Sequence, residues 1–319
     1  MKLKEIYFIK GVAIVGVIII HSYVIDKSNL FFYWTNQFLG QLTRSSVPIF
    51  FIVSGILASY SFKTRTLDLK SYWKKRFLKT VIPFISWSIF YYLFIENIKT
   101  IYGSGYPIKT FLLGYIHLYY LVVSFQFYLL FPLIRELLKR INHYFMLLMA
   151  LGVNCTLYIF GVTAKENVMV WIFYLILGCI IGLRYDQIFL RVKKVNMSVF
   201  LLLWITTLSA VIADFYINNH SSAMRMVIIP YSVASFFFLL KLGSHECKMQ
   251  YIGQNSFGIY LIHLFPIMIL RNWPIMNKVP WSLALVVPIT FVSSLLSVGV
   301  FKSFPLTKRL VGDWGVPNE

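Results

Sequence analysis

Ten apolar runs, most of them long enough to cross a bilayer and separated by short basic loops, constrain this chain more than any other feature. They lie at about Ile6 to Ile25, Val47 to Phe62, Phe77 to Ile95, Leu118 to Leu138, Tyr144 to Phe160, Val168 to Leu183, Val199 to Ile217, Met224 to Leu242, Gly253 to Leu270 and Trp281 to Phe301. Hydrocarbon offers backbone N–H and C=O groups no partner, so each run must satisfy its own, and a helix does that within one segment. The expected fold is all-α: a polytopic membrane helix bundle of about ten transmembrane helices, forming one transmembrane domain over 1–319 with no separate soluble domain. Composition agrees. The chain is 59% hydrophobic, only 13% charged and has a mean hydropathy of +0.73, which excludes an ordinary soluble domain and a disordered chain.

The charges set a direction. Of the 30 Lys and Arg residues, 22 fall on the side that would hold both termini and 8 on the other. Lys and Arg collect in cytoplasmic loops, so both termini are expected in the cytoplasm. The same rule accounts for the net charge of +19 without a nucleic-acid partner, while membrane lipids and phosphate-bearing ligands remain suited to the basic face. Cys155, Cys179 and Cys247 have no paired spacing, and no His/Cys cluster has zinc-ligand spacing, so neither a disulfide framework nor a metal site is expected.

Polar groups inside apolar runs are costly and therefore informative. Lys10 and His21 lie 11 residues apart in the first run. On a helix that is three turns plus about 20°, so both occupy one face, ~16 Å apart along the axis. Lys10 then sits near the cytoplasmic surface and His21 towards the outer leaflet. The densest basic cluster is Lys74-Lys75-Arg76-Phe77-Leu78-Lys79, followed by Pro83. Arg76 and Lys79, at i and i+3, point the same way. With Lys10 and Lys75 they suit a phosphate-bearing ligand better than a neutral sugar.

Several segments together resemble the membrane acyltransferase-3 family, integral-membrane O-acyltransferases acting on cell-surface glycans. Lys10-Gly11-Val12-Ala13 through His21 is similar to its opening, an Arg, ten mostly apolar residues and a His. Ser46-Val47-Pro48-Ile49-Phe50-Phe51-Ile52-Val53-Ser54-Gly55 resembles its second-span signature. Arg76-Phe77-Leu78-Lys79 with Pro83 resembles its Arg-x-x-Arg-then-Pro segment, and His117-Leu118-Tyr119-Tyr120-Leu121 a His-Leu-Trp-aromatic-Leu stretch. Asn255-Ser256-Phe257-Gly258-Ile259-Tyr260-Leu261-Ile262-His263 matches its ninth-span signature, and Phe304-Pro305-Leu306-Thr307 its last. The chain departs from the pattern at Lys10 and Lys79, where Arg is usual, and at Tyr119, where Trp is usual. Lysine keeps the charge but loses the two-pronged grip on phosphate.

The resemblance implies transfer of an acyl group, commonly acetyl, from cytoplasmic acyl-CoA to a hydroxyl of a cell-surface or exopolysaccharide glycan or its lipid-linked precursor. The setting it implies is the bacterial cytoplasmic membrane, with glycan-assembly proteins as possible partners and acyl-CoA as donor substrate, not a bound cofactor. On this reading His21 is the general base, with an acyl-His21 intermediate as the other route. Lys10, Lys75, Arg76 and Lys79 bind acyl-CoA, and His117, Tyr119 and His263 line the acceptor cavity. Ser54, on Val-Ser-Gly within a helix, lacks a nucleophile elbow and is read as close helix packing. A saccharide transporter or flippase is the alternative. Such proteins often bury carboxylates for ion coupling, whereas Glu96 and Asp214 fall at span ends.

Overall fold

The computed structural model describes residues 3–22, 29–63, 67–97, 114, 116–243, 248–273 and 282–314. Cys247, His245 and several of the loop cations (Lys2, Lys27, Arg65, Lys99, Lys109 and Lys278) lie outside these residues. The described residues contain no strand. The helices are α1 Lys4–Ser22, α2 Leu30–Leu42, α3 Ser46–Ser61, α4 Leu69–Asn97, α5 Tyr119–Arg140, α6 His143–Ile159, α7 Ile172–Leu183, α8 Tyr185–Lys194, α9 Met197–Asn218, α10 Ile228–Leu242, α11 Lys248–Ile262, α12 Leu264–Asn272 and α13 Ser282–Ser303. Short 3-10 turns cover Val168–Trp171 and Lys308–Val311.

Each of the ten apolar runs is helical over most of its length. By length and apolarity, six helices among the described residues can cross a membrane, or up to eight if each of two bent pairs is one span. Helices α6 and α10 are apolar but shorter. The chain is a multi-pass, all-helical membrane protein.

Two helices were not expected. In α2 the polar Asn36, Gln37 and Gln41 are buried, while Phe31, Trp34 and Phe38 are exposed. Its apolar side faces outward, as suits lipid, and the amides lower the hydropathy enough to make the segment read as a loop. Helix α8 is amphipathic and ends in Arg191, Lys193 and Lys194.

The chain divides into two compact units. The first comprises Met1–Phe50, Asp186–Val300 and Pro317–Glu319. Its main seam joins α1 to α11, and glycines make it possible. A Cβ on Gly11 would collide with the Met249 carbonyl oxygen, and one on Gly253 with that of Tyr7. Small residues let helix backbones meet closely where lipid supplies no hydrophobic drive between helices. Elsewhere in this unit Arg225, 2% exposed, is fully engaged. It donates to Asp214 Oδ2 at 2.6 Å, Gln41 Oε1 at 2.5 Å, and the Ser222 and Val211 carbonyls. A buried charge persists when it is paired and hydrogen-bonded in this way, and the cluster ties α2 and α9 to the start of α10. Lys241 donates to the carbonyls of Val192 and Lys193, satisfying the end of α8.

The second unit comprises Phe51–Tyr185 and Phe301–Val316. Here too glycines set the closest approach. A Cβ on Gly55 would strike the Leu175 carbonyl oxygen, one on Gly178 that of Ile52, and one on Gly182 would lie 2.6 Å from that of Ile56. The pair Gly178 and Gly182 is a GxxxG face on α7 that receives the end of α3. Asn154 binds α6 to the following turn, with Nδ2 donating to the Val170 carbonyl at 2.6 Å and Oδ1 accepting from Phe173 N at 3.1 Å.

The seams yield a direct expectation. Gly253→Ala and Gly178→Ala force backbones apart and should each destabilise the protein by about 1–3 kcal/mol. Gly152→Ala, where an added Cβ meets nothing within 4 Å, should be neutral or slightly stabilising. Thermal unfolding of the three purified variants in detergent checks this order.

Candidate active site

Helix α1 is unbroken from Lys4 to Ser22, so the one-face relation of Lys10 and His21 survives as drawn from the sequence. Both side chains are partly exposed, on a helix whose other faces are largely buried. Lys10 Nζ lies 5.5 Å from the ring centre of Tyr7, one turn below.

At its other end α1 meets the junction of α11 and α12. These helices form a bent pair with a 52° angle. Pro266 explains the bend, since it has no N–H for the Ile262 carbonyl and its ring crowds that carbonyl. His263, 0% exposed, stands at the break. The carbonyls ending α11 lose helical partners there, and that of Tyr260 is 2.7 Å from His263 Nδ1. The ring centres of His21 and His263 are 5.2 Å apart with planes tilted by 52°. Arg271, on α12, donates to the Ser22 carbonyl at the end of α1 and to Ser282 Oγ at 3.4 Å. The same bend therefore carries His263 to the ring of His21 and a cation to the carbonyl end of the helix that bears it.

Sequence reasoning named His21 and His263 but did not join them. It counted Arg271 only as a loop charge. The signal in the sequence was Pro266, three residues after His263, which forecasts a break in the preceding turn.

The second unit holds the basic cluster and the remaining candidates. On α4, Lys74 and Lys75 are exposed, whereas Arg76 and Lys79 are partly buried, in line with their i, i+3 relation. The guanidinium carbon of Arg76 lies 4.5 Å from the ring centre of Tyr128 and 5.6 Å from that of Tyr72. Tyr72 in turn donates to the Tyr128 carbonyl at 3.2 Å. A guanidinium held against ring faces still directs its N–H fork in its own plane, the geometry that recognises phosphate.

His117 is 1% exposed and meets Tyr91 edge-on, at 5.1 Å between ring centres. Tyr119 is partly buried, 6.4 Å from Trp171 in a stacked arrangement, with Lys165 Nζ 5.0 Å from its ring centre. Lys165 also donates to the Ile116 carbonyl at 3.1 Å. Ile116 has φ +32°, strained for a β-branched residue, so this lysine holds a strained turn beside His117. Burial pushes the Lys165 ammonium below its ordinary pKa, and the adjacent Glu166 carboxylate opposes the shift. Of the three residues expected to line the acceptor cavity, His263 falls in the first unit and His117 and Tyr119 in the second.

Ser54 shares a 2.8 Å hydrogen bond with the Tyr120 phenol, beside the Gly55 seam, which fits packing. Among the described residues no group of His, Cys, Asp and Glu has a metal-binding arrangement.

No solved structure matches the chain. It is similar to the probable poly-beta-1,6-N-acetyl-D-glucosamine export proteins of Staphylococcus aureus strains MSSA476, MW2 and N315, each 25% identical over 254 residues, which is 71% of this chain and 70% of theirs. The family model described as an acyltransferase domain, acyltransferase 3, matches residues 3–301. As that match covers nearly the whole chain, the chain belongs to the acyltransferase-3 family.

Proposed function

We propose that this protein moves an acyl group, acetyl in the first instance, from cytoplasmic acyl-CoA to a hydroxyl of a cell-surface polysaccharide or its lipid-linked precursor, across the bacterial cytoplasmic membrane with both termini inside. The observation that carries this reading is α1 itself, one unbroken helix with a cation in its first half and an imidazole at its far end. Acyl-CoA is anionic at its nucleotide end and reactive at the tip of a long arm, so a helix of this kind suits both ends of the molecule. Lys10, Arg76 and Lys79 hold phosphates in this reading. Lys75, exposed to solvent, adds long-range attraction.

The chemistry is a simple exchange. The acceptor oxygen attacks the thioester carbonyl carbon, an O–C bond forms and the C–S bond breaks. His21 takes the hydroxyl proton and passes it to the departing thiolate. A neutral imidazole is the form that does this.

The names of the relatives favour export of a polysaccharide as a second reading. It predicts movement of glycan without a new ester. The relatives also suggest the acceptor to try first, a β-1,6-linked N-acetylglucosamine oligosaccharide.

Three outcomes are expected in proteoliposomes supplied with labelled acetyl-CoA on the cytoplasmic side and that oligosaccharide on the other. His21→Ala should cut ester formation by about 10²–10⁴-fold at normal membrane insertion. Near wild-type ester from that variant would remove His21 from the chemistry, and glycan translocation without ester in the wild type would establish export instead. Arg76→Ala and Lys79→Ala should raise KM for acetyl-CoA by about 10-fold or more, as lost charge-assisted bonds imply, while Lys75→Ala stays close to wild type. Lys10→Ala should lose about 10- to 100-fold in kcat/KM and Lys10→Arg should not. An unchanged kcat/KM for Lys10→Ala would leave Lys10 as an interfacial anchor.

A further inference from the structure

The His21–His263 contact carries more than proximity, and its role here rests on the acyl-transfer reading of the site. A carbonyl oxygen accepts hydrogen bonds and donates none. The 2.7 Å contact between His263 Nδ1 and the Tyr260 carbonyl therefore places the proton of neutral His263 on Nδ1. Its Nε2 is then an acceptor. The main chain makes this choice. Pro266 breaks the helix, the break releases the carbonyl, and the carbonyl selects the tautomer.

We infer that His263 is the positioning residue for His21: its Nε2 accepts the N–H of one His21 nitrogen and so leaves the other nitrogen of His21 bare, as a base requires. The distance fits. Two imidazoles joined by an N–H···N bond of about 2.9 Å stand ~5.2 Å apart, centre to centre, which is the spacing found. A turn of the partly exposed His21 ring completes the bond. When His21 takes the hydroxyl proton and becomes an imidazolium, Nε2 stabilises the N–H that faces it. His263 gains no proton at any step, and His21 returns its own to the thiolate. A histidine thus fills the place that a carboxylate holds in a Ser-His-Asp arrangement, which suits a low-dielectric interior where a buried carboxylate would be costly. Arg271, tied to the Ser22 carbonyl, fixes the end of α1 so that the two rings keep their spacing.

Two substitutions separate this role from packing. The glutamine amide reaches the position of Nε2, whereas the asparagine amide reaches that of Nδ1. His263→Gln should retain kcat within about 10-fold of wild type, and His263→Asn, which can still satisfy the Tyr260 carbonyl, should lose about 100-fold or more in kcat. In both, KM for acetyl-CoA should stay unchanged. A structural histidine held by its Nδ1 bond predicts the reverse order, and equal activity of the two variants would also overturn the proposal. Pro266→Ala provides an independent arm. A straightened helix reclaims the Tyr260 carbonyl, so kcat should fall with His263 intact, and normal turnover in that variant counts against the mechanism. Failure of the underlying reading looks different. Wild-type protein would then form no ester from acetyl-CoA, and both proposals would fall together. Ester formation by the wild type with no change on His263→Asn removes the positioning role alone.

Discussion

The close approach of α1 and α11 governs what the first unit can do. Two glycines stand where a single methyl group would drive the helices apart, Gly11 against Met249 and Gly253 against Tyr7. A helix pair set this close transmits position along its whole length, so residues far from the glycines inherit the spacing. His21 and His263 lie at the far end of the pair, where two rigid rings meet at 5.2 Å. A methyl-sized change at one end of α1 is therefore felt at its other end, about three turns away.

Much of this was legible in the sequence, and the legible part has a common physical origin. Hydropathy located the helices because lipid leaves a backbone few alternatives. The one-face relation of Lys10 and His21 followed from helical pitch, and the like burial of Arg76 and Lys79 from their spacing along α4, whereas the exposure of Lys75, grouped with them in the sequence, was not anticipated. The family resemblance rested on short segments in order, and the match over residues 3–301 bears it out. Helix α2 escaped notice because its buried amides made an embedded segment look polar. Hydropathy weighs every apolar run alike, whereas among the described residues α6 and α10 are short and two helix pairs, α7 with α8 and α11 with α12, are bent, so length and apolarity alone give six to eight spans.

What local pattern did not supply is contact between distant main-chain groups. The Arg271 bond to the Ser22 carbonyl joins residues 249 positions apart, and an acceptor of that kind leaves no mark on the side-chain sequence. The same holds for Lys165 and the Ile116 carbonyl. In both cases a cation that the positive-inside rule treats as topological serves as a clamp on the backbone. Charge in this protein repairs main-chain ends, and the proposed reading gives it two further duties, orientation and, third, attraction of an anionic donor. The acyltransferase family assignment gives the third its chemical sense.

The partner of His263 Nδ1 is a carbonyl, and any residue at position 260 would present one. Natural sequence drift should therefore treat positions 260 and 266 very differently. A side-chain change at 260 leaves that main-chain acceptor in place, even as it alters the ring contact with His263 at 5.9 Å, whereas a change at 266 alters the break from which the hydrogen bond arises. A survey of related sequences that weighed only side chains near the imidazoles would miss the part that position 266 plays.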